Sequence, residues 1–207
     1  MVTAGLDLSI NSTGICINDN NNFSYYIVST GCTKAFHNAC KNSIIEIIDI
    51  EKIKSEKDSD YHIKEELKTI NIISVVNAIM SIIDKYHIDR AYIEGLSYGS
   101  SRTTALSDLS GLNFLVRKEL YDRGIPFTIV SPAANKKFAV GRGNADKSMM
   151  VAGWRMMDNR VAEFEKANSG IKIKIDDLAD AFFLSNTNSQ KKTANILLRQ
   201  AIGGLQP

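Results

Sequence analysis

The sequence predicts an α/β fold, a mixed sheet of about five strands that opens with a three-strand meander and is flanked by helices. Two observations carry this. Short apolar runs joined by turn-prone polar clusters fill the N-terminal part of the chain. From His62 onward, longer apolar patterns spaced three and four apart alternate with single short strands. With 207 residues, 44% hydrophobic and 23% charged, the chain suits one well-packed domain over 1–207 and is too short for two comfortable ones.

The elements follow in order. "MVTAGLDLSI" and "STGICIND" are joined by the turn-prone "NSTG", and "FSYYIVSTG" follows the Asn cluster "NDNNN"; successive strands with links this short form an antiparallel meander. Residues 40 to 61, with the charge run "IEKIKSEKDSDY", read as a variable, solvated connection without chemistry. Ile63, Leu67, Ile70, Ile73, Val76, Ile79 or Met80, Ile83 and Tyr86 recur at three and four and predict a long amphipathic helix from His62 to Tyr86. "RAYIEG" reads as a strand, and a second helix runs from Thr103 to Arg123, ending at Gly124 with Pro126 just beyond. "PFTIVS" is the next strand, and Pro132 starts a short helix. "GRGNADK" is a glycine-containing loop with Ala145 or Asp146 near the start of another helix, whose Trp154, Met156 and Met157 read as core.

Bulk properties exclude several classes. A net charge of +2 gives no global basic field, so any polyanion must be held by local clusters. Cys16, Cys32 and Cys40 are few, odd in number and never in a CxxC arrangement, which argues against a disulfide framework or a zinc site; they read as buried or inert thiols. The N-terminus lacks a basic segment followed by an apolar one, and no apolar run approaches the roughly 20 residues of a membrane span. These points lead us to expect a soluble, cytoplasmic protein with no membrane partner.

The acids carry the chemistry. Asp7 reads as mid-strand in "AGLDLSI", on one face with Gly5 and Ser9, a position that β propensity disfavours. Glu94 closes the "AYIEG" strand, where α/β sheets open onto their ligand crevice. In "DDLADAFFL", Asp177 and Asp180 share a helical face, as do Asp176 and Asp180. Taken singly, Asp7 could cap a turn, Glu94 could pair with Arg90 or Arg102, and Asp176 could cap its helix. Together they fit a set of hard oxygen ligands for Mg²⁺ or Mn²⁺. Two such ions about 4 Å apart would clamp the attacking and leaving oxygens of a phosphodiester hydrolysis.

"GLDLSINSTGICI", "YIEG", "NKKFAVGRGNADKSMM" and "DDLADAFFL", in that order, resemble the RuvC family of Holliday junction resolvases, within the RNase H-like nuclease fold. The resemblance runs from Asp7 to about Leu184, and its most specific part is the lysine, Gly-x-Gly and second lysine of the third motif. It implies Asp7, Glu94, Asp177 and Asp180 as catalytic metal ligands and Lys136 and Lys147 as the family's two functional lysines; Lys147 or Lys136, close to the scissile phosphate, could stabilise its developing charge. Asp176 has no counterpart in the pattern. The charged stretch departs from the compact bacterial form and is closer to phage or viral members. Lys136, Lys137, Arg142 and Lys147 flank or lie within a loop able to follow a DNA backbone. After Glu94, "GLSYGSSRTT" offers Tyr98 for base stacking and Arg102 as a cation.

The expected activity is therefore metal-dependent cleavage of branched DNA, four-way junctions above all. The working unit would be a homodimer, because two symmetry-related strands must both be cut and each chain offers one set of acids. The competing readings are an RNase H-like nuclease for forks, flaps or RNA-DNA hybrids and a non-catalytic junction-binding protein. An actin-like kinase fold is a weaker rival, since it needs two such domains.

Overall fold

The computed structural model describes residues 1–96, 103–169 and 175–187. Strands β1 (Val2–Asp7), β2 (Ser12–Asp19) and β3 (Asn22–Ser29) form the expected antiparallel meander. The Thr13 hydroxyl closes the first turn, donating to the Ser9 carbonyl at 2.8 Å and accepting from the Ser9 N–H at 3.1 Å. In the second turn Asn20 and Asn21 adopt φ of 51° and 70°, the left-handed pair that a tight hairpin requires and that Asn tolerates.

The chain continues through α1 (Lys34–Cys40), β4 (Ile45–Asp49), α2 (Tyr61–Tyr86), β5 (Arg90–Glu94), α3 (Thr103–Asp122) and β6 (Phe127–Val130). It then forms α4 (Pro132–Val140), α5 (Lys147–Met157), α6 (Asn159–Ala167) and α7 (Asp176–Ser185). The sheet order is β4-β3-β2-β1-β5-β6, with β5 parallel to β1, β6 parallel to β5 and β4 parallel to β3. Six strands replace the expected five, because the stretch read as a connection contains the edge strand β4. Its charges hid it: Glu46 and Asp49 are exposed on opposite faces of the edge strand, while Ile45 and Ile47 pack on one core and Ile48 on the other.

Side chains alternate across the sheet and build two cores. Ala4, Leu6, Ile15, Ile17, Val28 and Ile93 pack under α2 and α3, whereas Cys16, Tyr25 and Ile27 pack under α5, α6 and α7. By length and composition α2 could cross a membrane, with a mean hydropathy of 1.5 over its best window, contrary to the reading that no segment approaches a span. Its apolar residues instead pack on the sheet through Val75, Val76, Ile79, Met80, Ile82 and Ile83. Trp154 is fully buried as expected, but Met156 and Met157 are 89% and 57% exposed, on the outer face of α5.

Two strand glycines fix where α7 lies. A Cβ at Gly5 would stand 1.9 Å from the Ala181 carbonyl oxygen, and one at Gly14 would stand 2.4 Å from that of Asp177. Any other residue there would push the helix off the sheet, so β1 and β2 accept its backbone directly. Thr3 Oγ1 adds a hydrogen bond to the Ser185 carbonyl at 2.7 Å.

Candidate active site

Asp7 ends β1 instead of lying mid-strand, but the alternation places it as expected: Thr3 and Gly5 face α7, and Asp7 follows them. The parallel register pairs Leu6 with Ile93, so Asp7 and Glu94 emerge side by side at the ends of β1 and β5. Because Gly14 contacts the backbone of Asp177, the first turn of α7 lies over the same strand ends and brings Asp177 and Asp180 to the pair. The four acids from two strands and a helix thus form one electrostatic group.

Their protonation reflects that gathering. Burial, then the charges of Glu94, Asp177 and Asp180, hold the Asp7 carboxyl well above its ordinary range. Glu94 is pushed up to about 7 by burial and the Asp180 charge, against the opposing effects of a hydrogen bond from Asp7 and the positive charge of Lys136. Asp180 rises to about 6 through burial, with Lys136 opposing and Asp177 reinforcing. One buried oxygen of Asp180 has no hydrogen-bond partner among the described residues. Such groups are destabilising as they stand, and a cation would reverse that.

All the donors are hard oxygens, the set that Mg²⁺ or Mn²⁺ takes, and the unpartnered Asp180 oxygen leaves a lone pair for an ion to use. Among the described residues no three His, Cys, Asp or Glu side chains are gathered tightly enough to hold a metal ion as they stand. Asp7 and Glu94 share a hydrogen bond, while Asp177 and Asp180 act on them through their charge.

Two of the expected cations reach this group. Lys136 on α4 lies near enough to act on Asp180 and Glu94. Lys147, the first residue of α5, pairs with Asp176 and is raised first by that contact, with Asp177 and Asp7 adding to it. Asp176 is therefore neither a cap nor orphaned: Ile175 occupies the N-cap position without a side-chain bond, and Asp176 anchors Lys147. Lys137 and Arg142 are exposed, and neither joins an ion pair among the described residues. Gly141, read as permitting backbone approach, has a structural duty as the left-handed C-cap of α4, with φ of 78°. Glu94 meets Asp7 instead of Arg90, which bonds Thr128. Tyr98 and Arg102 lie outside the described residues.

Sequence reasoning missed two asparagines. Asn135, 1% exposed, donates to the Asp180 carbonyl at 3.1 Å and ties α4 to α7. Asn113, also 1% exposed, lines a cavity of about 200 Å³ with Asp7, Glu94, Leu109 and Pro132. The signal for Asn113 was present: it interrupts the stripe Leu109, Leu112, Val116 and Leu120, where a helix facing the core should be apolar.

A mixed sheet between two helical layers, with acids at adjacent strand ends and on a helix lying across them, is the RNase H-like α/β architecture. Among solved structures the chain is similar to one described as "Thermus thermophilus RuvC structure", with a TM-score of 0.53 and 14% identity over 94% of this chain and 97% of that one. A second is described as "T. thermophilus RuvC in complex with Holliday junction substrate", with a TM-score of 0.52 and 12% identity over 93% and 96%. A fowlpox virus Holliday junction resolvase superposes at a TM-score of 0.44 and 14% identity over 92% and 99%, too loosely to carry an argument. No family model and no curated protein matches the chain. At these identities the likeness establishes the fold.

Proposed function

We propose that this chain is a divalent-metal-dependent endonuclease that cuts branched DNA, four-way junctions foremost, and works as a homodimer. The observation that carries the reading is the group of four half-buried acids drawn from β1, β5 and α7, whose Asp7, Glu94 and Asp180 carboxyls are all raised, with Lys136 and Lys147 within electrostatic reach. The partner named for one structure of the same fold, a Holliday junction, supports the substrate class.

Asp7, Glu94, Asp177 and Asp180 would hold the metal. Bound ions there supply charge neutralisation for a phosphodiester and its attacking and leaving oxygens. Lys147, held at the rim by Asp176, sits where it stabilises negative charge developing on a phosphate oxygen, and Lys136 limits the repulsion among the acids. Exposed Lys137 and Arg142 would extend the positive surface along the DNA backbone, and Tyr98 and Arg102, which follow Glu94 in the sequence, are candidate stacking and phosphate contacts.

The dimer is supported by the outer face of α2 and α3. Ile70, Ile73, Phe114 and Tyr121 are 45%, 43%, 61% and 78% exposed there, and Thr69, Gly111, Phe114 and Leu115 line an open groove of about 480 Å³. A second copy would cover this surface around a two-fold axis. The test is a Mg²⁺-dependent cleavage panel of four-way junction, fork, flap, linear duplex and RNA-DNA hybrid, with light scattering at the same concentration. Paired nicks across the junction by a dimer are expected. Preferential cutting of the hybrid or the flap, or resolution by a monomer, would overturn the reading.

A further inference from the structure

We propose that Asn113 is a neutral oxygen ligand, direct or through one water, for the divalent cation that Asp7 and Glu94 hold, delivered by α3 from the helical layer opposite α7. The inference rests on the metal reading above and extends it to a residue that no carboxylate pattern points to. Three observations converge on it. Asn113 is 1% exposed, and its buried amide oxygen has no hydrogen-bond partner among the described residues. The side chain lines the same cavity of about 200 Å³ as Asp7 and Glu94. It also stands on the core stripe of α3 among Leu109, Leu112 and Val116, where a leucine of similar volume would pack without leaving an acceptor unsatisfied. A buried acceptor that the described residues leave unmatched suits a bound cation or its water.

The chemistry suits an amide better than a fifth acid. Amide oxygens are ordinary ligands for hard cations, either directly or through a coordinated water. Four carboxylates already repel one another at this site, and Asn113 adds an oxygen without adding charge. Because it comes from α3 and the acids come from the sheet and α7, it would close the cavity wall that Asp177 and Asp180 do not line.

The test uses the full chain, stripped with EDTA and free of DNA. Mn²⁺ is titrated while free Mn²⁺ is followed by electron paramagnetic resonance, and thermal unfolding is recorded with and without the ion. Asn113→Leu should weaken Mn²⁺ binding about tenfold, the usual scale for a supporting group at a metal site, while leaving the metal-free Tm unchanged or higher. Asn113→Asp, which keeps an oxygen in place, should bind at least as tightly as the wild type. Wild-type affinity in Asn113→Leu would overturn the inference, as would equal weakening in both variants or a loss of affinity matched by a fall in metal-free Tm. Asp7→Asn separates this from the parent reading. If it binds Mn²⁺ like the wild type, the carboxylate site itself fails and Asn113 with it, whereas if it loses binding and Asn113→Leu does not, the role of Asn113 alone fails.

Discussion

Asp158 and Asp7 both lie against the face of the sheet that α5, α6 and α7 cover, yet only Asp158 finds its full complement of partners within the chain. Asp158 accepts from Arg160 Nη2 at 2.6 Å, from the Tyr25 hydroxyl at 2.7 Å and, as the cap of α6, from the Arg160 N–H at 3.1 Å. Tyr25 is in turn held by Trp154 Nε1 at 3.0 Å. Burial opposes ionisation of Asp158, but Arg160 and Tyr25 outweigh it and hold the carboxyl below its usual range. Around Asp7 burial has the same sign, and the charged neighbours reinforce it. The first cluster is a finished piece of structure. The second keeps its unbalanced charge among the described residues, the contrast expected between a structural carboxylate and one that holds a metal.

The largest expected break in this comparison is in activity. Asp7→Asn, Glu94→Gln, Asp177→Asn or Asp180→Asn should each lower junction cleavage about a hundredfold or more, the scale for losing a group that manages charge in a transition state, with DNA binding nearly intact. Asp158→Asn should leave the chemistry alone. Cleavage assays beside gel-shift binding decide this.

In stability the order reverses. Asp158→Ala, which leaves the Tyr25 hydroxyl without its acceptor and uncaps α6, should cost about 2 kcal/mol by urea unfolding in EDTA. Glu94→Gln should instead stabilise the metal-free protein at pH 8 by about 2 kcal/mol, given a carboxyl raised to about 7 and screening at a partly exposed site.

The pH dependence sharpens the same contrast. Glu94 and Asp180 have folded values of about 7 and about 6, above their unfolded ones, so their contribution is full below about pH 4 and is lost as pH rises through 6 and 7. Metal-free Tm should fall across that window, and saturating Mg²⁺ should flatten the fall. Asp158, held low, contributes above about pH 4 and loses its contribution only as the solution becomes more acid. Thermal unfolding from pH 4 to 8, with EDTA and with Mg²⁺, reads both. A flat metal-free curve would contradict the repulsion among the acids.

The smallest effects lie at the rim. Removing the charge of Lys136 or Arg142 should flatten the salt dependence of DNA binding by about one unit of log-log slope for each phosphate deprived of its cation. Lys147→Ala should reduce turnover more than affinity, because Asp176 ties it beside the acids. Unchanged slopes and rates would make these ordinary solvated cations.

Much of this was legible in the sequence where a residue type conflicted with its local pattern. Asp7 in a strand, Glu94 at a strand end and the aspartates of an otherwise apolar helix were each out of place, and the structure gathers them. Gly5 and Gly14 carried a similar signal, small residues where a helix backbone touches the sheet. What stayed hidden depended on contacts distant in the chain. β4 was masked by the charges of Glu46 and Asp49, and Gly141 looked like a phosphate loop although it ends a helix. The pairing of Asp176 with Lys147 joins residues 29 apart, beyond any periodicity. Asn113 was readable as a polar break in an apolar stripe, but its meaning needed the cavity it shares with Asp7 and Glu94.

The central claim is that the four acids hold divalent metal, and anomalous diffraction from crystals soaked in Mn²⁺ tests it most directly. The account predicts Mn²⁺ density among the carboxylates of Asp7, Glu94, Asp177 and Asp180 at concentrations that support cleavage, and its loss in Asp7→Asn. Cleavage that persists in excess EDTA, or crystals with no Mn²⁺ among these four acids at such concentrations, would contradict it.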